Sequence, residues 1–220
     1  ENVAPRVILT EGGSMTDIYV YNQLTKDNNG NIKVDQNGNL GITSSNTPVK
    51  VGNLDADFNL GWTNHFTYKG IDLGIVLSAR VGGLAYSATQ GILDYYGVSE
   101  TSATARDNGG IPINNGKVNA QKYYQTIGTG EGGYGRYYLY SATNVRLQEL
   151  SLNYTLPKRW FKNVANVTLG IVGRNLWMIY CKAPYDPEST SSVTSNFYQG
   201  VDYFQQPSLR SLGFNVKLTF

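Results

Sequence analysis

The 220 residues are enough for one or two ordinary soluble domains, and 18 Lys+Arg against 16 Asp+Glu, a net +2, argue against a polyanionic partner such as nucleic acid. Charged residues are only 15%, against about 25% in a typical soluble domain, while the 25 Gly and 17 Tyr suit short strands, Gly-rich loops and aromatic girdles. No run of about 20 apolar residues exists, which excludes a transmembrane helix but not alternating barrel strands; the lone Cys181 excludes a disulfide framework and a Cys-based metal site.

Residues 1–54 lack sustained alternation. Asp17–Leu24 (DIYVYNQL) predicts a short strand, and Asp27-Asn28-Asn29-Gly30 and Gln36-Asn37-Gly38-Asn39 are turn signals around Asn31–Val34. A calcium loop of the EF-hand type needs Gly at its sixth position and Glu at its twelfth. Counted from Asp27, those places hold Ile32 and Gly38, so plain hairpin turns are expected. Residues 1–54 thus read as a loop and small hairpin that lead into the strands of 55–82.

Residues 55–82 predict an antiparallel hairpin. Phe58, Leu60, Trp62, Phe66 and Tyr68 share one face with Ile71, Leu73, Ile75, Leu77, Ala79 and Val81 across a tight Lys69-Gly70 turn. His65 falls on the polar face. Each strand has the roughly 9–11 residues that cross a bilayer at a tilt. Residues 83–141 read as a long irregular connection rich in Gly, Asn, Ser and Tyr, and a structureless loop this long is uncommon in a compact domain. Outer-membrane barrels supply a reason, because their links are short on one side and long on the other. In residues 142–220 the pattern repeats. Asn144–Leu156 is a strand whose apolar phase slips at Gln148-Glu149, as a β-bulge would produce. The turn Pro157–Asn166 is short, Val167–Met178 is the next strand, and 179–207 is a second long loop. The last strand alternates Leu212, Phe214, Val216, Leu218 and Phe220 against polar partners.

The expected fold is therefore all-β: an antiparallel meander of about five transmembrane strands with long extracellular loops. Five strands cannot close, since the smallest closed barrels need about eight. An open sheet in lipid leaves unpaired backbone at both edges. The chain accordingly reads as a piece of a larger barrel.

Several runs carry a specific resemblance. ATNVRLQELSLNYTLPKRW (Ala142–Trp160), VGRNLW (Val172–Trp177), YDPE (Tyr185–Glu188), QGVDYF (Gln199–Phe204) and PSLRSLGFNVKLTF (Pro207–Phe220) resemble, in order, the C-terminal portion of the SusC/RagA family of TonB-linked outer-membrane transporters. Val51–Leu73 is similar to the family hairpin just upstream. The resemblance implies a barrel of about 22 strands in the outer membrane of a Bacteroidetes-type Gram-negative bacterium. It implies a plug and a TonB-contacting segment in an upstream part of the protein, a SusD-like lipoprotein partner, and import of oligosaccharides or peptides. It implies no enzyme activity and no cofactor.

No catalytic constellation is present in the sequence, because His65 is the sole histidine and Asp186 and Glu188 flank Pro187 in a loop rather than a pocket. The Gly128–Gly133 run does not link a strand to a helix, so a phosphate cradle is not expected. The loop aromatics suit a ligand or partner platform, since Tyr gives rigid amphipathic area at low entropic cost. Candidate contacts are Tyr95, Tyr96, Tyr123, Tyr124, Tyr185, Asp186 and Tyr203, with Tyr138 and Tyr140 assigned to an interfacial girdle. Phe214, Leu218 and Phe220 resemble the assembly signal of barrel proteins. The competing readings are a soluble or surface β-sandwich adhesin, whose apolar faces would meet each other, and a hydrolase with a carboxylate pair in a cleft.

Overall fold

The computed structural model describes residues 5–128, 135–161, 164–189 and 200–219. Phe220, Tyr134, Phe197, Tyr198 and most of the Gly128–Gly133 run lie outside the described residues. In chain order the first elements are strands β1 (Arg6–Val7), β2 (Asp17–Leu24), β3 (Ile42–Asn53), β4 (Phe58–Tyr68), β5 (Ile71–Val81) and β6 (Leu84–Ser87). Helices α1 (Ala88–Tyr95) and α2 (Glu100–Asp107), strands β7 (Ile111–Ile113) and β8 (Gly116–Val118), and helix α3 (Ala120–Ile127) follow. Then come β9 (Leu139–Ser141), β10 (Asn144–Thr155), β11 (Asn166–Cys181), β12 (Val201–Asp202) and β13 (Ser211–Thr219). The contacts divide these into two units: residues 5–55, 83–128, 135–141 and 200–205, and residues 56–82, 142–161, 164–189 and 206–219.

The second unit is an antiparallel five-stranded sheet in the order β13-β11-β10-β5-β4. Directly paired residues point to the same face, so the registers can be read as rows. One row runs Trp62, Leu77, Leu147, Trp177; another Phe66, Leu73, Leu152, Ile171, Phe214; a third Tyr68, Ile71, Tyr154, Leu169, Val216. Between them, rows such as Thr67, Asp72, Asn153, Gly170, Asn215 line the opposite face. The apolar rows are uncovered by the chain itself: Phe214 is 69% exposed, and Leu60, Trp62, Phe66, Ile171 and Leu212 are exposed as well.

Local sequence explains the sheet's joints. The β4–β5 link is a two-residue hairpin whose Lys69 and Gly70 both have positive φ (+46° and +85°), the type I′ geometry that matches strand twist. The phase slip in β10 is a bulge at Gln148, where the register jumps from Leu147 to Glu149 against both neighbours. On β11 the same level holds Asn175 at φ +50°, which absorbs the blurred alternation after Val172. β11 also runs past Met178, so Ile179–Cys181, expected at the start of a loop, are strand.

The first unit corrects the expectation for residues 83–141. The described residues of that stretch are not irregular: they form three helices and five short elements around a hydrophobic core of Leu40, Tyr86, Ala105, Ile113, Val118, Ala120, Tyr123, Tyr124, Ile127 and Tyr138. Each helix has a side-chain N-cap: Ser87 accepts from Gln90 N at 3.1 Å, Ser99 from Ser102 N at 3.0 Å, and Asn119 from Gln121 N at 2.9 Å. In α3 the buried positions Ala120, Tyr123, Tyr124 and Ile127 follow the i, i+3, i+4, i+7 spacing of one helical face. Tyr138 is fully buried and Tyr140 packs on the same core, so neither belongs to an interfacial girdle. Burial pushes the Tyr140 hydroxyl up to about 12.

Residues 1–54 contain a further strand not foreseen, β3, paired with β2. Its Pro48 has no N–H to donate, which suits an edge strand. The two Asn-Gly turns close on themselves. Asp27 Oδ1 accepts from Asn29 N (2.8 Å) and Asn31 N (2.9 Å), and Asp35 Oδ1 from Asn37 N (2.8 Å) and Asn39 N (2.7 Å). These bonds, the Asn31 and Asn39 backbone N–H first, hold both carboxyls below their ordinary range. Both oxygens serve the turn, which accounts for the Asp residues as turn formers.

Candidate functional site: an outward apolar wall and a latched loop

Two surfaces bear on function, the apolar face of the sheet and the loops. On the sheet, β-branched and aromatic residues at alternate positions supply rows with the spacing described above, and the opposite face carries Asn59, Thr63, His65, Asp72 and Gly74. A sheet apolar outside and polar inside is the pattern of a barrel wall in lipid rather than of a sandwich half, whose apolar face is covered.

Among the described residues, the loop after β11 is fastened to the sheet at Arg146. Arg146 on β10 is 4% exposed and Asp186 6%. Arg146 Nη2 lies 2.8 Å from Asp186 Oδ1 and 3.3 Å from Glu188 Oε2, while its Nε donates to Asn144 Oδ1 at 3.2 Å. Asp186 also accepts from the Ser208 hydroxyl and from Glu188 N at 3.0 Å. Burial pushes the Asp186 carboxyl up, but the Arg146 guanidinium, the Ser208 hydroxyl and the Glu188 N–H outweigh it, and the net effect is a value below the ordinary one. The carboxylates of the YDPE run are therefore structural anions in a turn, not an acid–base pair. Cys181, at the end of β11, points its thiol toward the carbonyls of Ala183 and Tyr185 at 3.5 and 3.6 Å, so it serves as a weak donor that closes the turn out of the strand.

The candidate contact residues are distributed over both units. Tyr95, Tyr96 and Tyr124 line one cavity of about 440 Å³ with Arg106, Gln121 and Gln125. Tyr96 is 74% exposed there, whereas Tyr123 and Tyr124 are core residues whose rings meet edge to face at 5.2 Å. Tyr185 and Asp186 line a second cavity, also about 440 Å³, in the other unit. Tyr203 lines neither; it is exposed beside Phe204, with ring centroids 5.3 Å apart. Phe214 and Leu218 stand on the exposed apolar face of β13. Sequence reasoning missed Arg146, Ser208 and Asn175. Arg146 had a signal: a charge among Val145, Leu147, Leu150 and Leu152 needs a partner.

No family model matches the chain. Over 200 residues it is 28% identical to the TonB-dependent receptor P3 of Formosa agariphila, a match covering 87% of this chain and 19% of the receptor, so the chain spans about a fifth of that relative's length. Its fold is similar to the RagAB peptide transporter (TM-score 0.62, 18% identity, 93% of this chain and 23% of that one). It is also similar to the RagAB peptide importer in the closed-closed state (TM-score 0.58, 18% identity, 99% and 22%).

Fold and apolar face together define a class: a stretch of wall from a large antiparallel β-barrel. Within that class the chain is similar in sequence to a TonB-dependent receptor and in fold to the RagAB peptide transporter.

Proposed function

We propose that the chain supplies five strands of barrel wall and the extracellular loops of a TonB-dependent outer-membrane importer. In this reading the plug and the TonB-contacting segment come from other parts of the protein, and a SusD-like lipoprotein lids the loops. The cargo is an oligosaccharide or a peptide. The observation that carries the proposal is the set of apolar rows in register from strand to strand, two of them through all five strands, on a face that stays exposed among the described residues. The loop unit, with its own core, supports the extracellular assignment, because it is a folded platform rather than a tether.

Lipid contact tests it directly. In the full-length protein, spin labels at Leu60 and Ile75 should be relaxed by probes carried on acyl chains, and a label at Thr63 should not. If all three positions are shielded from lipid, the barrel reading fails. Topology is tested on intact cells: added protease should cut within 83–141 and 179–207 and spare Lys69-Gly70 and 157–166. Cutting only after the outer membrane is opened inverts the assignment.

A further inference from the structure

The pairing of β11 with β13 ends at Arg174 opposite Ser211, while β11 continues to Cys181. Beyond that level Pro207–Arg210 leaves the sheet, and β11 and this segment bound the cavity of about 440 Å³ that Tyr185 and Asp186 also line. The Arg146–Asp186 pair and Ser208 fix one wall of the cavity. The other wall belongs to the apolar face. Trp177 is in register with Leu147, Leu77 and Trp62 and is 62% exposed. Arg210, one residue before β13, lines the same cavity as Trp177.

Arg210 is an unusual neighbour for an exposed indole. Of the arginines on β10 and β11, Arg146 is paired with Asp186 and Arg174 with Glu149. Arg210 is exposed and has no ion-pair partner among the described residues. The segment that carries it is held in place: Asn175, in a left-handed backbone conformation, donates Nδ2 to Leu209 O at 3.2 Å. The Asn175 Oδ1 is buried and has no hydrogen-bond partner among the described residues, although Asn175 lines the cavity. An unmet acceptor and an unmet cation thus border one cavity beside an exposed indole.

Depth decides which ligand such a notch meets. From Leu218 to Arg210 the chain covers about 27 Å at ~3.4 Å per residue, or about 20 Å along the membrane normal at a tilt of ~40°. The lipid-facing band of a barrel is about 25 Å tall. Counted from Leu218, Arg210 and Trp177 therefore stand in the outer part of that band, where long side chains reach the headgroups and Trp and Arg anchor. We propose that this notch binds the phosphate of an anionic lipid headgroup. Arg210 supplies the charge, Trp177 packs on the junction between headgroup and acyl chain, and Asn175 Oδ1 accepts from a headgroup hydroxyl. The inference rests on the barrel reading and adds a selective lipid site to it.

Native mass spectrometry of the full-length protein in mild detergent tests it, with phosphatidylglycerol, phosphatidylethanolamine and inorganic phosphate as probes. The wild type should retain phosphatidylglycerol at least tenfold better than phosphatidylethanolamine, and Arg210→Gln should lose that preference. Arg174→Gln, whose side chain pairs on the opposite face, should keep it. An unchanged preference in Arg210→Gln overturns the proposal, and so does equal retention of the two lipids. Displacement of the lipid by millimolar inorganic phosphate alone also overturns it, since it marks a soluble-anion site. Quenching of tryptophan fluorescence by brominated acyl chains separates the two failures. Quenching without headgroup preference sinks only the lipid site, whereas absence of quenching sinks the barrel reading.

Discussion

The two units of this chain solve opposite solvent problems with the same residue types. In the loop unit Tyr, Ile, Val and Ala are driven inward, and Tyr138 and Ile127 are fully buried in a core assembled from helices and short strands. In the sheet Trp62, Phe66, Ile171, Leu212 and Phe214 are turned outward, and the polar rows take the other face. Hydrophobicity alone does not separate the units; what separates them is whether an apolar face is met by another element of the chain. The loop unit is stabilised as a water-soluble domain is, whereas the sheet needs a surrounding that accepts apolar surface.

The contrast breaks first at the latch. Arg146→Ala leaves the buried Asp186 charge without its cation and should cost about 3–5 kcal/mol, and Asp186→Ala, which leaves Arg146 its contact with Glu188, should cost less. The expected signs are a lower temperature for the heat-induced shift in gel migration and a new protease cut within 182–189. Arg146→Met with Asp186→Asn should recover much of the loss. Single variants that match the wild type in both readouts would show that the loop is held by something else. The pH dependence has a definite sign. The folded Asp186 value lies below its ordinary 3.8, so its stabilisation is present above 3.8 and is lost as pH falls through the lower folded value. The protease cut should therefore appear only in strong acid, and a latch that opens between neutrality and 3.8 contradicts this assignment.

In the loop unit Ile127→Ala should cost about 2–5 kcal/mol, since it removes a fully buried side chain from a core that α3 helps to form. The loss should be local: amide exchange should quicken across α1 and α3 while the β5 and β10 amides stay protected. Uniform loss across both units would mean that they fold as one.

On the sheet the sign reverses. Ile75→Arg should cost about 2–4 kcal/mol at mid-bilayer depth, read as reduced folded protein in the outer membrane, and Thr63→Arg on the polar face should cost less. Equal effects would erase the distinction between the faces.

The smallest effect belongs to a cap. Ser99→Ala removes the acceptor for Ser102 N and a donor to buried Asp94, and about 1 kcal/mol is expected. Faster exchange confined to α2 checks it.

Legibility in the sequence followed the same division. The alternation of Phe58–Val81 and Leu212–Leu218, the Lys69-Gly70 turn and the Gln148 bulge could be read because a strand repeats every two residues and its faults show as phase slips. The helices of 83–128 were passed over although Ser87, Ser99 and Asn119 are ordinary caps and Tyr123-Tyr124 begins a helical stripe. Each helix has only eight residues, too few for a period to stand out among so many Gly and Asn. Strand β3 was hidden by Pro48 and by Ser, Asn and Thr at half of its positions, because its hydrogen bonds are satisfied by β2 rather than by a patterned face of its own. The Arg146 latch joins residues 40 positions apart, and no local pattern could name that partner.

Strand β12 has a consequence for how the molecule is made. It lies parallel to β6, with Asp202 accepting from the Ser87 hydroxyl at 2.8 Å in a buried bond that spans 115 positions, and Phe204 N donates to Thr89 Oγ1 at 2.6 Å. The cap of α1 is thus completed by residues that leave the ribosome, and cross any membrane, long after α1 itself. Parallel pairing across such a distance carries the full loop-closure entropy before any contact compensates it, which makes it slow. The helical unit therefore gains its last native bonds only after β10 and β11 have been made.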